Sequence, residues 1–414
     1  MAANSFQQVI TYNRSGLAFL QNNGPVLSIC NKKYKNFNDD VPQNLGSSVD
    51  FTLQPRFITN ASLVASVQGV TERFARLTID QPFSVAYQFT SQEFIFNARE
   101  FMDLYGRGAI QELGSKVEAY VSKSFETNTY RFFGDGVTPI NSYLQLANAL
   151  AFFRNYGAAP QDTKGVLSDL TFPGIVNSGL NQFVPRRNDK MAMSWDIGNF
   201  SNCDWYQSNL LPIHTSGTEG TAGSTLTVVS TTTNAAGQIT AITFSGTAGA
   251  LDPDSIKAYD KLVFNDGVTG FTDVRYLTFV GHEVSGNPVQ FRAENNAQST
   301  GANQVTVNIY PYLQVGSGPD QNINTPIVAG MQVSVLRSHR CGVIMSGNPL
   351  FLGMPKLPDT TPFDSSTVQD PETGASLRTY WGTKFGQDEQ MMVHDCIVGK
   401  KLVDEYAMMV ALPV

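Results

Sequence analysis

The sequence is short of charge, of cysteine and of long apolar runs. Asp, Glu, Lys and Arg make up 15% of its 414 residues, against roughly 25% in ordinary soluble domains. Surface that meets neighbours is depleted in Lys, Glu and Asp, so this composition fits a subunit packed among others as well as a neutral, polar monomer. No run of eighteen apolar residues occurs, which excludes a membrane-spanning helix of the usual kind. The opening Met1-Ala-Ala-Asn-Ser-Phe6 lacks a basic stretch followed by an apolar one, so no secretory leader is expected. Cys30, Cys203, Cys341 and Cys396 show no paired spacing and read as reduced thiols. The net charge of −7 argues against a dedicated grip on nucleic acid, although a wall that only surrounds nucleic acid needs none.

Signatures of chemistry are also missing. Phosphate-cradling, dinucleotide-binding, zincin, C-x-x-C and G-x-S-x-G motifs do not occur. His339-Arg-Cys341 and His394-Asp-Cys396 each place His and Cys on one face of a strand, and together they offer the His2Cys2 set that zinc prefers. They belong to different predicted regions, so hydrogen-bonded histidines beside small apolar cysteines are the simpler reading. Asp252-Pro-Asp254 lacks the spacing and closing Glu of a calcium loop and reads as an acidic turn. Trp195, Trp205 and Trp381 read as core or interface residues. No catalytic residue, metal or cofactor is assigned.

What is present begins with a long amphipathic segment from Gly108 to Tyr130. Ile110, Leu113, Val117, Val121 and Phe125 recur at steps of three and four, which forms one apolar stripe on a helix. Glu112, Ser115, Lys116, Glu118, Ser122, Lys123 and Glu126 are expected on the wet face, with Glu112 and Lys116 in the favourable i, i+4 order. At 1.5 Å per residue this spine would run for roughly 33 Å.

Before the spine the pattern is extended. A basic knot, Lys32-Lys33-Tyr34-Lys35, reads as a solvated turn. Val49, Phe51 and Leu53 alternate with polar residues, and Phe83, Val85, Tyr87 and Phe89 do so on the return. This predicts a long two-stranded ribbon without a core of its own, which must lean on something. Thr90 and Glu93 have capping-box spacing, so a short helix is expected at Ser91–Leu104. After the spine, Gly134-Asp-Gly136 marks a turn and a second apolar helix is expected from about Ser142 to Tyr156. At Thr218 the composition shifts to Gly, Ala, Ser, Thr and β-branched residues. Runs at Leu226–Ser230, Ile239–Ser245, Lys261–Phe264 and Val305–Ile309, each bounded by turn residues, predict an acidic all-β module. Further strands are expected at Gln390–His394 and Tyr406–Leu412.

The order of these parts resembles the major capsid protein of tailed bacteriophages, which has the HK97-like fold. The resemblance covers nearly the whole chain. It is carried by Ala109-Ile-Gln-Glu-Leu-Gly-Ser-Lys-Val-Glu118 in the spine, by Ile197–Pro212, and by the terminal run from Asp395-Cys-Ile-Val-Gly-Lys-Lys-Leu402 to Glu405-Tyr-Ala-Met-Met-Val-Ala-Leu412. The inserted β module, with Tyr259-Asp-Lys-Leu-Val-Phe264, makes the chain similar to the short-tailed Salmonella phage type of coat protein. The resemblance implies an α+β fold: N-terminal arm 1–45, extended β loop 46–90, peripheral domain with spine helix 91–139, first part of an axial domain 140–217, inserted all-β domain 218–335, axial return 336–375 and peripheral C-terminal strands 376–414.

The resemblance also implies a role: a non-enzymatic subunit that self-assembles through hexamers and pentamers into an icosahedral virion capsid around double-stranded DNA. Its implied partners are scaffolding and portal proteins and the enclosed genome, held without sequence-specific contacts, with assembly in the host cytoplasm and no membrane. The family's namesake welds its subunits by a Lys–Asn isopeptide bond, yet residues 51–90 contain no lysine. Cohesion is therefore expected to be noncovalent. Phe57, Leu63, Val64 and Phe74 are expected to lie across a neighbouring subunit, with Arg56, Arg73 and Arg76 pairing to its carboxylates. Two alternatives stand beside this reading: an encapsulin-type compartment shell, and a β-rich protein that binds glycans or a cell surface.

Overall fold

The computed structural model describes residues 24–31, 48–59, 63, 67, 69, 70, 72–90, 105–157, 162–178, 198–246, 249–278, 281–316, 318–358, 364–369, 375–383, 386 and 388–414. Val64, Trp195, the basic knot at 32–35 and the helix expected at Ser91–Leu104 lie outside them. In chain order the elements are α1 (Pro25–Ile29), β1 (Ser48–Leu53), β2 (Arg73–Thr90), α2 (Arg107–Thr127), β3 (Phe132–Phe133), α3 (Tyr143–Arg154), β4 (Thr163–Leu167), α4 (Phe172–Asn177), β5 (Asn199–Phe200), β6 (Cys203–Gln207), β7 (Ile213–His214) and α5 (Thr218–Ala222). Then follow β8 (Thr225–Thr233), β9 (Ile239–Ser245), β10 (Lys261–Phe264), β11 (Arg275–Leu277), β12 (Val284–Pro288), β13 (Gln290–Ala293), β14 (Gln304–Leu313), β15 (Gln332–Val335), β16 (His339–Ser346), β17 (Leu350–Gly353), β18 (Asp364–Gln369), β19 (Ser376–Thr383), β20 (Glu389–Leu402) and β21 (Ala407–Leu412). No helix of the described residues is long and apolar enough to cross a membrane.

The chain divides into two compact units. The first comprises Met1–Thr52, Phe74–Ser124 and Asn348–Leu402; the second comprises Leu53–Arg73, Phe125–Gly347 and Val403–Val414. One boundary falls inside α2, after Ser124. Ile110, Leu113, Val117, Val121 and Phe125 are all buried, as their 3–4 spacing requires. The wet face is narrower than the sequence suggests. Glu118 and Ser122, both expected on it, are buried, and Glu118 accepts a hydrogen bond from the Val26 amide at the start of α1. A buried carboxylate is tolerated there because it serves an amide that a helix start leaves without an intrahelical partner.

The first unit is built on an antiparallel sheet in the order β1-β2-β20-β19-β18, with β17 also on β20. This alters the expected coreless ribbon. From Thr78 to Thr90, β2 pairs with β20, Thr78 opposite Lys400 and Thr90 opposite Glu389. A long strand with unpaired amides on both sides is costly, and β20 satisfies one side of it within the chain. A bulge between Ile79 and Gln81 lies beside Gly399, where a Cβ would stand 2.5 Å from the Thr78 carbonyl oxygen. Lys400 donates to the Tyr120 carbonyl, and its ammonium lies 4.0 Å from the centre of the Tyr120 ring.

In the second unit a mixed sheet runs β3-β21-β16-β4-β6-β5, with β7 also on β16. β21 pairs with β16 along its length, Arg340 opposite Leu412 and Met345 opposite Ala407. Every residue of β21 is buried, as in strands covered on both faces. The expected grouping of 376–414 is therefore split between β20 and β21, and 348–375 group with the first unit instead of with 140–217. In β4, Gly165 is needed because a Cβ there would stand 2.4 Å from the Trp205 ring. Helix α3 starts at Ser142, whose hydroxyl accepts from the Gln145 amide, and its apolar face packs on this sheet through Leu146, Leu150 and Phe153.

Six further strands of this unit close a barrel in the order β10-β13-β14-β9-β8-β15, and β11 pairs with β12 in a separate two-stranded sheet. Alternating residues such as Val305, Val307 and Ile309 fill it, together with Phe244, Phe264 and Phe291. Closure removes exposed strand edges. Tyr156, beyond the end of α3, joins the same apolar cluster, so the barrel's core is not wholly its own.

Candidate assembly surface

The described residues between 53 and 73 carry large apolar side chains into solvent. Phe57 is 55% exposed, Val70 61%, and Leu63 and Val67 fully so. Phe74, which opens the adjoining part of the first unit, is 56% exposed. Burying one such side chain is worth about 1.5–3 kcal/mol, so a run of them left in water is a surface awaiting a partner.

The arginines of this stretch do something other than the sequence suggests. Arg56 Nη2 lies 2.6 Å from Glu405 Oε1, and Arg73 forks onto both oxygens of the same carboxylate, with Nη1 3.2 Å from Oε2. Arg76 pairs in bidentate fashion with Asp50, at 2.7 and 2.8 Å. Each finds its carboxylate within its own unit, Arg56 and Arg73 at the 404–406 turn and Arg76 on β1. Burial of Glu405 alone would raise its pKa, but the two guanidinium groups outweigh that and hold it below the ordinary carboxylate value.

The turn at Asp404–Tyr406 gathers further ties. Arg131 donates to the Glu405 carbonyl at 3.1 Å, and the Tyr310 hydroxyl of β14 donates to Asp404 at 2.7 Å. Arg131 is fully buried with its guanidinium 4.4 Å from the Tyr156 ring centre and 5.1–5.2 Å from those of Tyr130 and Tyr276. Aromatic faces and the Tyr276 hydroxyl, 3.2 Å away, replace its lost hydration.

A second junction closes the end of α2. No basic residue stands in the helix's last turn, yet its terminal carbonyls need donors and its negative dipole end favours cations. The barrel supplies both. Lys261 Nζ lies 2.7 Å from the Glu126 carbonyl and 2.5 Å from that of Thr129, and Arg292 donates to Thr127. Burial lowers the pKa of Lys261 to about 7. Beside it, His214 Nδ1 is 2.9 Å from Glu126 Oε1 and Nε2 is 2.7 Å from Asp260 Oδ1. Sequence reading passed over Lys261, Arg292, His214 and Glu405. The one local signal was Ser124-Phe-Glu-Thr-Asn-Thr-Tyr130, a helix end without a cation of its own.

The two His–Cys pairs have separate surroundings. His339 Nδ1 lies 2.7 Å from the Arg337 carbonyl and Nε2 3.3 Å from Met409 Sδ. His394 Nδ1 lies 2.7 Å from Thr379 Oγ1, with Tyr87 on the other nitrogen. Among the described residues no three His, Cys, Asp or Glu side chains are grouped so as to hold a metal ion. Asp252 caps its own turn by accepting from the Asp254 amide.

No family model and no curated protein matches the sequence. Several solved structures match the chain over most of its length. A Mycobacterium phage Che8 chain is 9% identical with a TM-score of 0.44, over 88% of this chain and 85% of that one. The capsid of Ralstonia phage GP4 is 8% identical with a TM-score of 0.44, over 92% and 86%. A virus-like particle from Pyrococcus furiosus is 7% identical with a TM-score of 0.42, over 97% of both chains.

Proposed function

We propose that this chain is a structural shell subunit, the major capsid protein of a tailed phage, that self-assembles without catalysing a reaction. The observation that carries the reading is the ribbon segment 53–73, held at its base by Glu405 and exposing Phe57, Leu63, Val67 and Val70. A base held by ion pairs, with apolar side chains exposed beyond it, suits a part that lies across a second copy of the chain. The low charged content of the sequence and the order of its parts support the same role. In this reading hexamers and pentamers form a closed icosahedral virion shell around double-stranded DNA, assembled in the host cytoplasm with scaffolding and portal proteins. The 218–335 barrel is an inserted domain of the short-tailed Salmonella phage type. Many weak apolar contacts per shell then replace a covalent weld.

Deleting Ile58–Thr71 tests this, because it spares Arg56, Arg73 and Glu405. The full-length protein should form closed shells of tens of nanometres by electron microscopy. The deletion variant should stay folded by circular dichroism and fail to form them. Normal shells from the deletion variant would sink the role of the ribbon, and monodisperse full-length monomers would sink the shell reading itself.

A further inference from the structure

His214 stands between two carboxylates, with Glu126 on Nδ1 at 2.9 Å and Asp260 on Nε2 at 2.7 Å. An ionised carboxylate only accepts hydrogen bonds, and a neutral imidazole has only one N–H. Both contacts are satisfied together when the ring carries both protons. The three partners come from three elements: Glu126 from the end of α2, Asp260 from the residue before barrel strand β10, and His214 from β7 on the mixed sheet. Asp260 is fully buried, and its other oxygen accepts from the Gly217 and Lys257 amides at 3.1 and 2.7 Å. It cannot swing away when its partner changes.

We propose that His214 is a proton-held clasp that fastens the barrel to the end of α2 and to the sheet, and that the clasp opens as the medium becomes alkaline. Loss of the proton leaves Glu126 and Asp260 facing a ring that can donate to only one of them. The other facing groups do not replace it. His339 on β16 is the cross-strand partner of His214 on β7, ring centres 5.4 Å apart, and burial holds it neutral with a pKa of about 3. Cys341 is a neutral thiol, pushed up to about 12 by burial. Lys261 spends its N–H groups on the Glu126 and Thr129 carbonyls and, with its pKa lowered to about 7 by burial, loses charge itself as pH rises, while Arg292 donates to Thr127. Burial opposes a charge on His214, but Asp260 and Glu126 outweigh it and raise its pKa above the ordinary 6.5. A raised folded pKa means that the contribution is fully present below 6.5 and is lost as pH rises through the folded value.

Hydrogen exchange of the full chain, read by mass spectrometry from pH 6 to 9 with labelling times scaled for intrinsic exchange, tests the clasp. Relative to His214→Gln, in which Lys261 is retained, opening of peptides covering 126–131 and 256–262 in the wild type should increase by up to about tenfold per pH unit between 6.5 and the folded pKa, the limit for one proton, and level off above it. In Glu126→Gln, which removes one of the two carboxylates, the increase should level off at lower pH. Should His214→Gln fail to fold, the wild type is compared with Glu126→Gln instead. No increase over a folded His214→Gln, or an unmoved plateau in Glu126→Gln, overturns the proposal.

Discussion

Lys261 and Arg292 are cross-strand partners on β10 and β13, and both side chains end on carbonyls of residues 126–129 at the end of α2. Like charges directly opposite in a sheet repel. Here the helix's negative end and three carbonyl oxygens offset that repulsion. The pairing predicts a particular pH dependence. With its pKa lowered to about 7 from 10.5, folded Lys261 binds fewer protons than the unfolded chain between those values. The contribution of Lys261 to stability should therefore fall as pH falls from about 10.5 to about 7, and Lys261→Met should remove that part of the slope. Urea unfolding of both proteins at pH 7, 8.5 and 10 measures it; equal slopes would contradict the assignment.

The spine gives a contrast within one helical turn. Val117 is fully buried, whereas Lys116 is 66% exposed and 3.6 Å from Glu112. Val117→Asp should cost several kcal/mol and leave little soluble protein. Lys116→Ala should cost no more than about 0.5 kcal/mol. Chemical denaturation and soluble yield report both.

Glu405 should govern the base of the ribbon. Glu405→Gln removes the shared counter-charge of Arg56 and Arg73 and should cost about 1–3 kcal/mol. Chymotrypsin should then cut after Phe57 faster than in the wild type. Because the folded pKa of Glu405 lies below the ordinary 4.5, the clamp should persist above that value and weaken as pH falls through the folded one. An unchanged cleavage rate would show that the arginines do not depend on this carboxylate.

Expressed alone, residues 218–335 should fold, since they contain every strand of the closed barrel. The segment loses Tyr156 from its core and the helix carbonyls from Lys261 and Arg292. A dispersed β-type NMR spectrum is expected, with a melting temperature below that of the barrel in the full chain. A collapsed spectrum would show that the barrel needs the rest of its unit.

Periodicity by itself determined the local elements. The five-residue apolar stripe of α2 and the Ser142 start of α3 follow from spacing and capping chemistry, which act within a few residues. β9 and β10 begin and end where alternation and turn residues place them. Tertiary structure decided which strand pairs with which. β2 reads as half of a free ribbon until β20, three hundred residues on, pairs with it. The terminal residues read as one group until β20 and β21 join different sheets. The partners of Arg56, Arg73, Arg76, His214 and Lys261 were hidden for the same reason. A charge shows its own sign in the sequence, but its counter-charge or carbonyl is chosen by burial. Only the folded chain shows which distant group takes the place of water.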